Sequence, residues 1–240
     1  MGTVYISLWF EAPLQSWGSD SKFGRRDTLP FPTKSGVYGM YLAALGASGP
    51  QRELLGQLSQ QTLTVHSYSK NIGFGFDGAA TPFLMDFHMV GSGYRDDKDY
   101  PWERLLIPKT AHGKASVGGG SKMTYRYYLQ DAIFGLIQEC DENLGHQIFS
   151  ALQNPVFDVY LGRKNCVPTD FIVRGIHDSK VEAAAELERI ASEKSLVLNF
   201  KVEEGDHGDE SLVLSDVPRQ FGQMKIYDER TVSIIRNEER

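Results

Sequence analysis

Residues 4–11 alternate: Val4, Ile6, Leu8 and Phe10 share one side of an extended chain, and Tyr5, Ser7, Trp9 and Glu11 the other. Side chains two apart lie on the same face of a strand, so this pattern commits the start of the chain to a half-buried strand in a sheet. Pro13 ends it. Residues 14–34 carry Gly18, Gly24, Pro30 and Pro32 with scattered charge and read as a long loop. Ser35 is the expected N-cap of a helix over 36–45, which Gly46 stops. That helix has two kinds of face. Val37, Tyr41, Ala44 and Leu45 form an apolar one. Gly36, Gly39 and Ala43 form a neighbouring one with almost no side chain, where a strand or a ligand can approach closely.

Further strands are expected over 62–68, 83–90, 125–137, 156–161, 171–173, 195–202, 211–214, 225–227 and 232–235, and helices over 144–152 and 180–191. In the second helix Val181, Ala184, Leu187, Ile190 and Ala191 face inward. Between 91 and 121 there is little periodicity and much glycine; a loop that long inside a compact domain is often functional or disordered. The order strand, helix, two strands, helix, strand defines an α+β class. It matches the β-α-β-β-α-β ferredoxin-like unit over residues 1–150, followed by a smaller C-terminal α/β portion over 151–240 with no linker to mark the boundary.

With 240 residues the chain is large enough for one large domain or two small ones. No apolar run approaches the ~20 residues that span a bilayer, and no secretory signal is visible, so no membrane association is expected. Cys140 and Cys166 stand far apart, which excludes a disulfide framework and a Cys-rich zinc site and points to reduced thiols in the cytoplasm. The net charge of −6 argues against a nucleic-acid binder only until its distribution is seen. Eleven acidic residues against four basic ones lie between His177 and Asp216. By contrast Arg104, Lys109, Lys114, Lys122 and Arg126 stand in a stretch with no acidic residue. Phosphate contacts follow local fields rather than the total. The acidic segment reads as a solvated face or, alternatively, as a protein interface.

Two glycine motifs lack what a nucleotide site needs. Residues 73–78 match G-x-G-x-x-G, but Pro82 forbids the helix start that would hold a pyrophosphate. Residues 118–122 have the wrong order for a phosphate loop, with no hydroxyl placed for magnesium. The six histidines include no metal-spaced pair, so neither a metal nor a cofactor is implied. The segment 25–36 carries more chemistry. Pro30 and Pro32 hold it extended and deliver Thr33, Lys34 and Ser35 to a helix start, behind Arg25 and Arg26. Free amides, the positive end of the helix dipole, two hydroxyls and a lysine then converge into an anion site, or else form a capped helix with an exposed lysine. Aromatics interleave with these cations: Trp17, Phe23 and Phe31, then Tyr94 and Trp102, then Tyr125, Tyr127 and Tyr128 around Arg126. Rings beside a charged groove are how single-stranded RNA is held; each ring taken singly also suits a core.

Pro-Leu-Gln-Ser-Trp-Gly from Pro13, Arg26, Pro-Thr-Lys-Ser-Gly from Pro32 and Ala-Leu-Gly from Ala44 together resemble the CasD type of the Cas-five family, CRISPR-associated backbone subunits of the RAMP superfamily. Asp86-Phe-His, Tyr125-Arg-Tyr-Tyr-Leu with Asp131-Ala, Tyr160-Leu-Gly-Arg-Lys with Cys166, and Val217-Pro-Arg-Gln-Phe extend the similarity over about residues 4–227. Two glycine-rich tracts, 74–81 and 113–121, are longer than the family pattern, and the tail from Arg230 departs from it.

The resemblance implies a ferredoxin-like fold with an inserted thumb at about 91–123. It also implies a non-catalytic scaffold role in the antiviral Cascade complex, holding the 5′ handle of the CRISPR RNA. The implied partners are the Cas-seven backbone subunit and the large subunit, with target DNA reached through the complex. On this reading Lys34 with Thr33 and Ser35 holds phosphates, Arg25, Arg26 and Trp17 line the same groove, and Arg163 and Lys164 form a second clamp. Arg219 and Gln220 read base edges, and Lys109, Lys114, Lys122 and Arg126 meet phosphates along the thumb. The alternative is a metal-independent endoribonuclease using His88, His112 or His177 with a tyrosine and a lysine brought near by folding.

Overall fold

The computed structural model describes residues 2–18, 24–70, 83–90, 110–114, 122–208 and 210–237. β1 (Thr3–Glu11) follows the alternation of its sequence. Two more strands and two helices come next: β2 (Leu14–Gln15), β3 (Arg25–Arg26), α1 (Lys34–Ala44) and α2 (Arg52–Ser59). Four strands follow: β4 (Leu63–Lys70), β5 (Phe83–Val90), β6 (Lys122–Gln130) and β7 (Ile133–Asp141). The chain continues with α3 (Glu142–Gln153), β8 (Val173–His177), α4 (Lys180–Glu193), β9 (Leu196–Glu204), β10 (Glu210–Gln220) and β11 (Ile226–Arg236).

Seven strands form one sheet in the order β10-β11-β9-β4-β7-β1-β8, and each neighbouring pair is antiparallel. Val4, Ile6, Leu8 and Phe10 of β1 pack with residues of α1, α2 and α3 in the main core. Trp9 packs with Tyr68, Ile133 and Ile137 beneath Ala183, Leu187, Ile190 and Ala191 of α4, on the opposite face. The large sheet is thus covered on both sides, which is why Trp9 can alternate with Leu8 and Phe10 and still be buried. A second, smaller sheet has β6 at its centre, paired with β2, β3 and β5. None of the described helices is long and apolar enough to cross a membrane.

The structure departs from the sequence reading in four places. The expected single strand over 125–137 is two strands in two sheets, separated at Asp131, whose φ of 50° reverses the chain. A continuous apolar run gives no sign of such a break, and Asp is among the few residues that tolerate this conformation. α2 was not expected; it buries only Leu55 and Leu58, and its N-cap residue Gln51 supplies no side-chain cap. Residues 156–161 form no strand. The backbone amides of Val156 and Phe157 instead donate to the carbonyls of Ala44 (2.9 Å) and Ala43 (3.2 Å) at the end of α1. Finally α1 starts at Lys34, not Gly36. Its N-cap is Thr33, whose Oγ1 accepts from the Gly36 amide at 3.2 Å. The expected domain boundary falls between elements of one sheet, since β8 pairs with β1 and β9 with β4.

Candidate functional site

Lys34 does not face solvent. Its side chain is 1% exposed, with Nζ 2.7 Å from Glu204 Oε1 and donating to the Gln61 carbonyl at 2.7 Å. Its backbone amide donates to Asp216 Oδ2 at 2.8 Å. Arg230 grips the same aspartate through Nε (2.7 Å) and Nη2 (2.8 Å), and reaches Glu204 through Nη1 at 3.2 Å. Burial lowers the Lys34 pKa, with Glu204 offsetting part of the shift. Burial also opposes the charge on Arg230, but the hydrogen bonds and charge of Asp216 outweigh it and the pKa rises. The start of α1 does attract an anion, as its dipole and free amides require. That anion is the chain's own Asp216, so the expected phosphate cradle at Lys34 is closed.

Three further expected contacts are internal. Trp17 is fully buried and stacks on Phe10 at 5.5 Å, with Nε1 donating to Gln15 Oε1 at 3.1 Å. Thr33 is buried as the helix cap. Gln220 accepts from Arg52 Nε and donates to the Met224 carbonyl at 2.7 Å, so both ends of its amide hold the β10–β11 turn. Arg219 is exposed but faces the other side of its strand, paired with Asp228 at 3.3 Å and donating to Ser59 Oγ at 2.9 Å. Adjacent strand residues point to opposite faces, so these two cannot read one base together.

A second group of expected residues does converge. β3 runs parallel to β6, which puts Arg26 beside Arg126 and Arg25 beside Tyr125. Arg163 donates to the carbonyls of Arg26 (2.9 Å) and Tyr127 (3.1 Å) and lies 4.6 Å above the Tyr128 ring. Arg25 pairs with Asp27 at 2.8 Å and lies 5.0 Å above Tyr127. Arg26, Arg126, Arg163 and exposed Lys164 therefore gather along one side of the small sheet. Its other side carries exposed Phe83, Met85, Phe87, Met89, Met123 and Tyr125. Lys114 is exposed in the turn 110–114, Lys122 opens β6, and Lys109 lies outside the described residues. Most of the expected thumb and the motif at 73–78 lie outside them too.

Beside α1 is a cleft of about 450 Å³ whose floor is the small face, Gly36, Gly39 and Ala43. A Cβ at Gly39 would meet nothing within 4 Å. One wall is the loop through Asp158, Tyr160 and Gly162; the other is Phe221, Lys225 and Tyr227 from the β10–β11 turn. Gly162 has φ 98°, and a Cβ there would stand 1.7 Å from the Ser16 carbonyl, so only glycine lets this loop close. Ser35, half-buried, faces the same cleft. Aromatic rings, an amine, hydroxyls and a floor without side chains suit a flat ligand carrying negative charge. The sequence reading found the floor and missed Lys225 and Tyr227, whose only signal was the Val217–Phe221 motif just before them.

The three candidate histidines stand on separate elements. His88 on β5 pairs with Asp86, His177 on β8 lies 2.9 Å from Ser7 Oγ, and His112 is exposed in the 110–114 turn. Among the described residues no group of three His, Cys, Asp or Glu side chains is placed to hold a metal. Both cysteines are buried and unpaired.

A mixed α/β protein with a large antiparallel sheet and this cleft is a CRISPR-associated protein. The family described as CRISPR-associated protein (Cas_Cas5) matches residues 5–233. The chain belongs to the Cas5 family and is similar to its CasD type. It is 27% identical over 165 residues to the CRISPR system Cascade subunit CasD of Escherichia coli (strain K12), a match covering 68% of this chain and 66% of that one. A solved CRISPR RNA-guided surveillance complex contains a chain 26% identical, with a TM-score of 0.71, covering 97% of this chain and 90% of that one. A crystal structure of a Cas protein is 25% identical with a TM-score of 0.54, covering 96% and 93%.

Proposed function

We propose that this protein is a non-catalytic scaffold subunit of a Cascade-type surveillance complex that holds the 5′ handle of the CRISPR RNA. The observation that carries the reading is the open, side-chain-free floor of the α1 cleft, with aromatic rings and a lysine on its walls. A handle nucleotide lies on Gly36 and Gly39 and stacks against Tyr227, with Lys225 on its phosphate. The neighbouring phosphates run over Arg26, Arg126, Arg163 and Lys164. Phosphate contacts position such an RNA, and the cleft selects it.

The fold supports the same reading. The unit β1-α1-β4-β7-α3-β8, whose strands lie in the order β4-β7-β1-β8, is the ferredoxin-like core expected of the family. The segment between β5 and β6 is the thumb. The apolar side of that hairpin meets a neighbouring subunit, for which the Cas-seven backbone and large subunits are the family's candidates. Target DNA is met only through the assembly, and work of this kind belongs in the cytoplasm.

Fluorescence anisotropy with single-stranded handle RNA tests the proposal. Lys225→Ala with Tyr227→Ala is expected to weaken binding about tenfold or more, on the scale of one lost stacked base and one lost phosphate contact. Unchanged affinity would remove the cleft from the RNA path. Repeat RNA incubated with the protein in EDTA is expected to stay intact; defined cleavage would instead favour an endoribonuclease.

A further inference from the structure

We infer that Asp158 is a specificity-determining residue of the cleft. Its carboxylate accepts a hydrogen bond from a donor on the bound nucleotide, a ribose 2′-hydroxyl or a base N–H, and disfavours strands that lack that donor. The inference rests on the reading of the cleft as an RNA site.

A carboxylate is a poor choice for a groove that receives a polyanion, because it repels the phosphates that Lys225 attracts. An ionised carboxylate can only accept hydrogen bonds, through two oxygens with about four lone-pair directions. In this structure Asp158 receives one, from the Tyr160 hydroxyl to Oδ2 at the long distance of 3.4 Å. It makes no ion pair with Lys225, although both line the same cleft. Most of its accepting capacity is therefore directed at nothing in the protein.

The side chain has no evident part in the fold. The loop is held by the backbone amides of Val156 and Phe157 on the last carbonyls of α1 and by the Gly162 turn against Ser16. Tyr160, donating to the carboxylate, orients it beside the wall of the cleft. A nucleotide offers two kinds of donor to such a group. Cytosine, adenine and guanine carry amino or imino N–H groups that a carboxylate can read, and the 2′-hydroxyl is the one donor that separates RNA from DNA. Repulsion of every strand, offset only for strands that present the donor, makes Asp158 a selector rather than an anchor.

The experiment compares wild type with Asp158→Ala and Asp158→Asn by anisotropy. The probes are the single-stranded handle RNA, its all-deoxy counterpart, and RNAs with one 2′-deoxy or one amino-lacking base at a time. Wild type is expected to prefer the full RNA over one of these probes by about tenfold or more, the usual worth of a hydrogen bond to a charged group. In Asp158→Ala that ratio collapses towards one, while affinity for the disfavoured probe stays level or rises. Collapse on the deoxy probes assigns the donor to ribose; collapse on an amino-lacking probe assigns it to a base. A ratio left intact in Asp158→Ala, with the variant folded by circular dichroism, overturns the inference. Gly39→Leu reports on the cleft itself: if it leaves binding of every strand unchanged, the RNA reading fails and the inference with it. Lost binding in Gly39→Leu beside an intact Asp158→Ala ratio sinks the selector alone.

Discussion

The two sides of α1 differ in what they do with charge. Its inward, N-terminal side is crowded: Lys34, Asp216, Glu204 and Arg230 lock β9, β10 and β11 onto the start of the helix. Its outward side is nearly bare, with glycines and an alanine beneath an open cleft. The charged residues beside the helix start bear the features by which an anion site is ordinarily recognised, yet they are satisfied within the protein. The side with nothing on it is the one open to a ligand. A buried ion cluster of this kind contributes little net stability against an apolar alternative, but removing one partner leaves an uncompensated charge in the interior. Its use is to set the position of α1, and through α1 the floor of the cleft.

The largest effect should come from breaking the inward side. Asp216→Ala is expected to destabilise the fold by about 3–5 kcal/mol in a urea titration, because it strands Arg230 and uncaps α1. A small loss would mean that the cluster is solvated and the contrast between the sides false.

A second interior group gives a control that spares the cleft. His66 is buried, and burial, aided by Lys201 and Lys180 and opposed by Glu203, lowers its pKa to about 4. The unfolded imidazole binds a proton near 6.5 and the native one only near 4, so the native state is favoured above pH 6.5 and loses that advantage as pH falls. The loss is roughly 3 kcal/mol between pH 7 and 4, and His66→Gln should flatten that part of the pH–stability profile. An equal slope in the variant would show that other groups carry it.

On the outward side Gly39→Leu sharpens the comparison by opposing signs. Replacing a helical glycine whose Cβ direction is empty should raise stability by about 0.5–1 kcal/mol. The same side chain fills the cleft, and RNA affinity should fall about tenfold, or ~1.4 kcal/mol. The smallest effect belongs to the arginine side of the small sheet. Arg26→Ala with Arg126→Ala should leave the unfolding midpoint unchanged and reduce the slope of log affinity against log salt by about 2, one phosphate for each arginine.

Much of this molecule is written in short-range pattern. The alternation of 4–11 specified β1, the apolar period of 180–191 specified α4, and Gly36, Gly39 and Ala43 marked the face that lines the cleft. Arg26 and Arg126, 100 residues apart, were both read as RNA contacts, and the sheet makes them neighbours. The break at Asp131 and the coil at 156–161 were not legible, because apolar content alone says neither which sheet a segment joins nor where it reverses. Nor was the fate of Lys34, which depends on Asp216, 182 residues away.

Local sterics and side-chain period act between residues a few positions apart, so the sequence by itself determined which segments are strands or helices and which face of α1 is bare. Burial and charge pairing act between residues that only folding brings together. The tertiary structure alone therefore decided that Lys34 lies inside, that Gln220 is a turn brace, and that Tyr160, Lys225 and Tyr227 stand around one cleft.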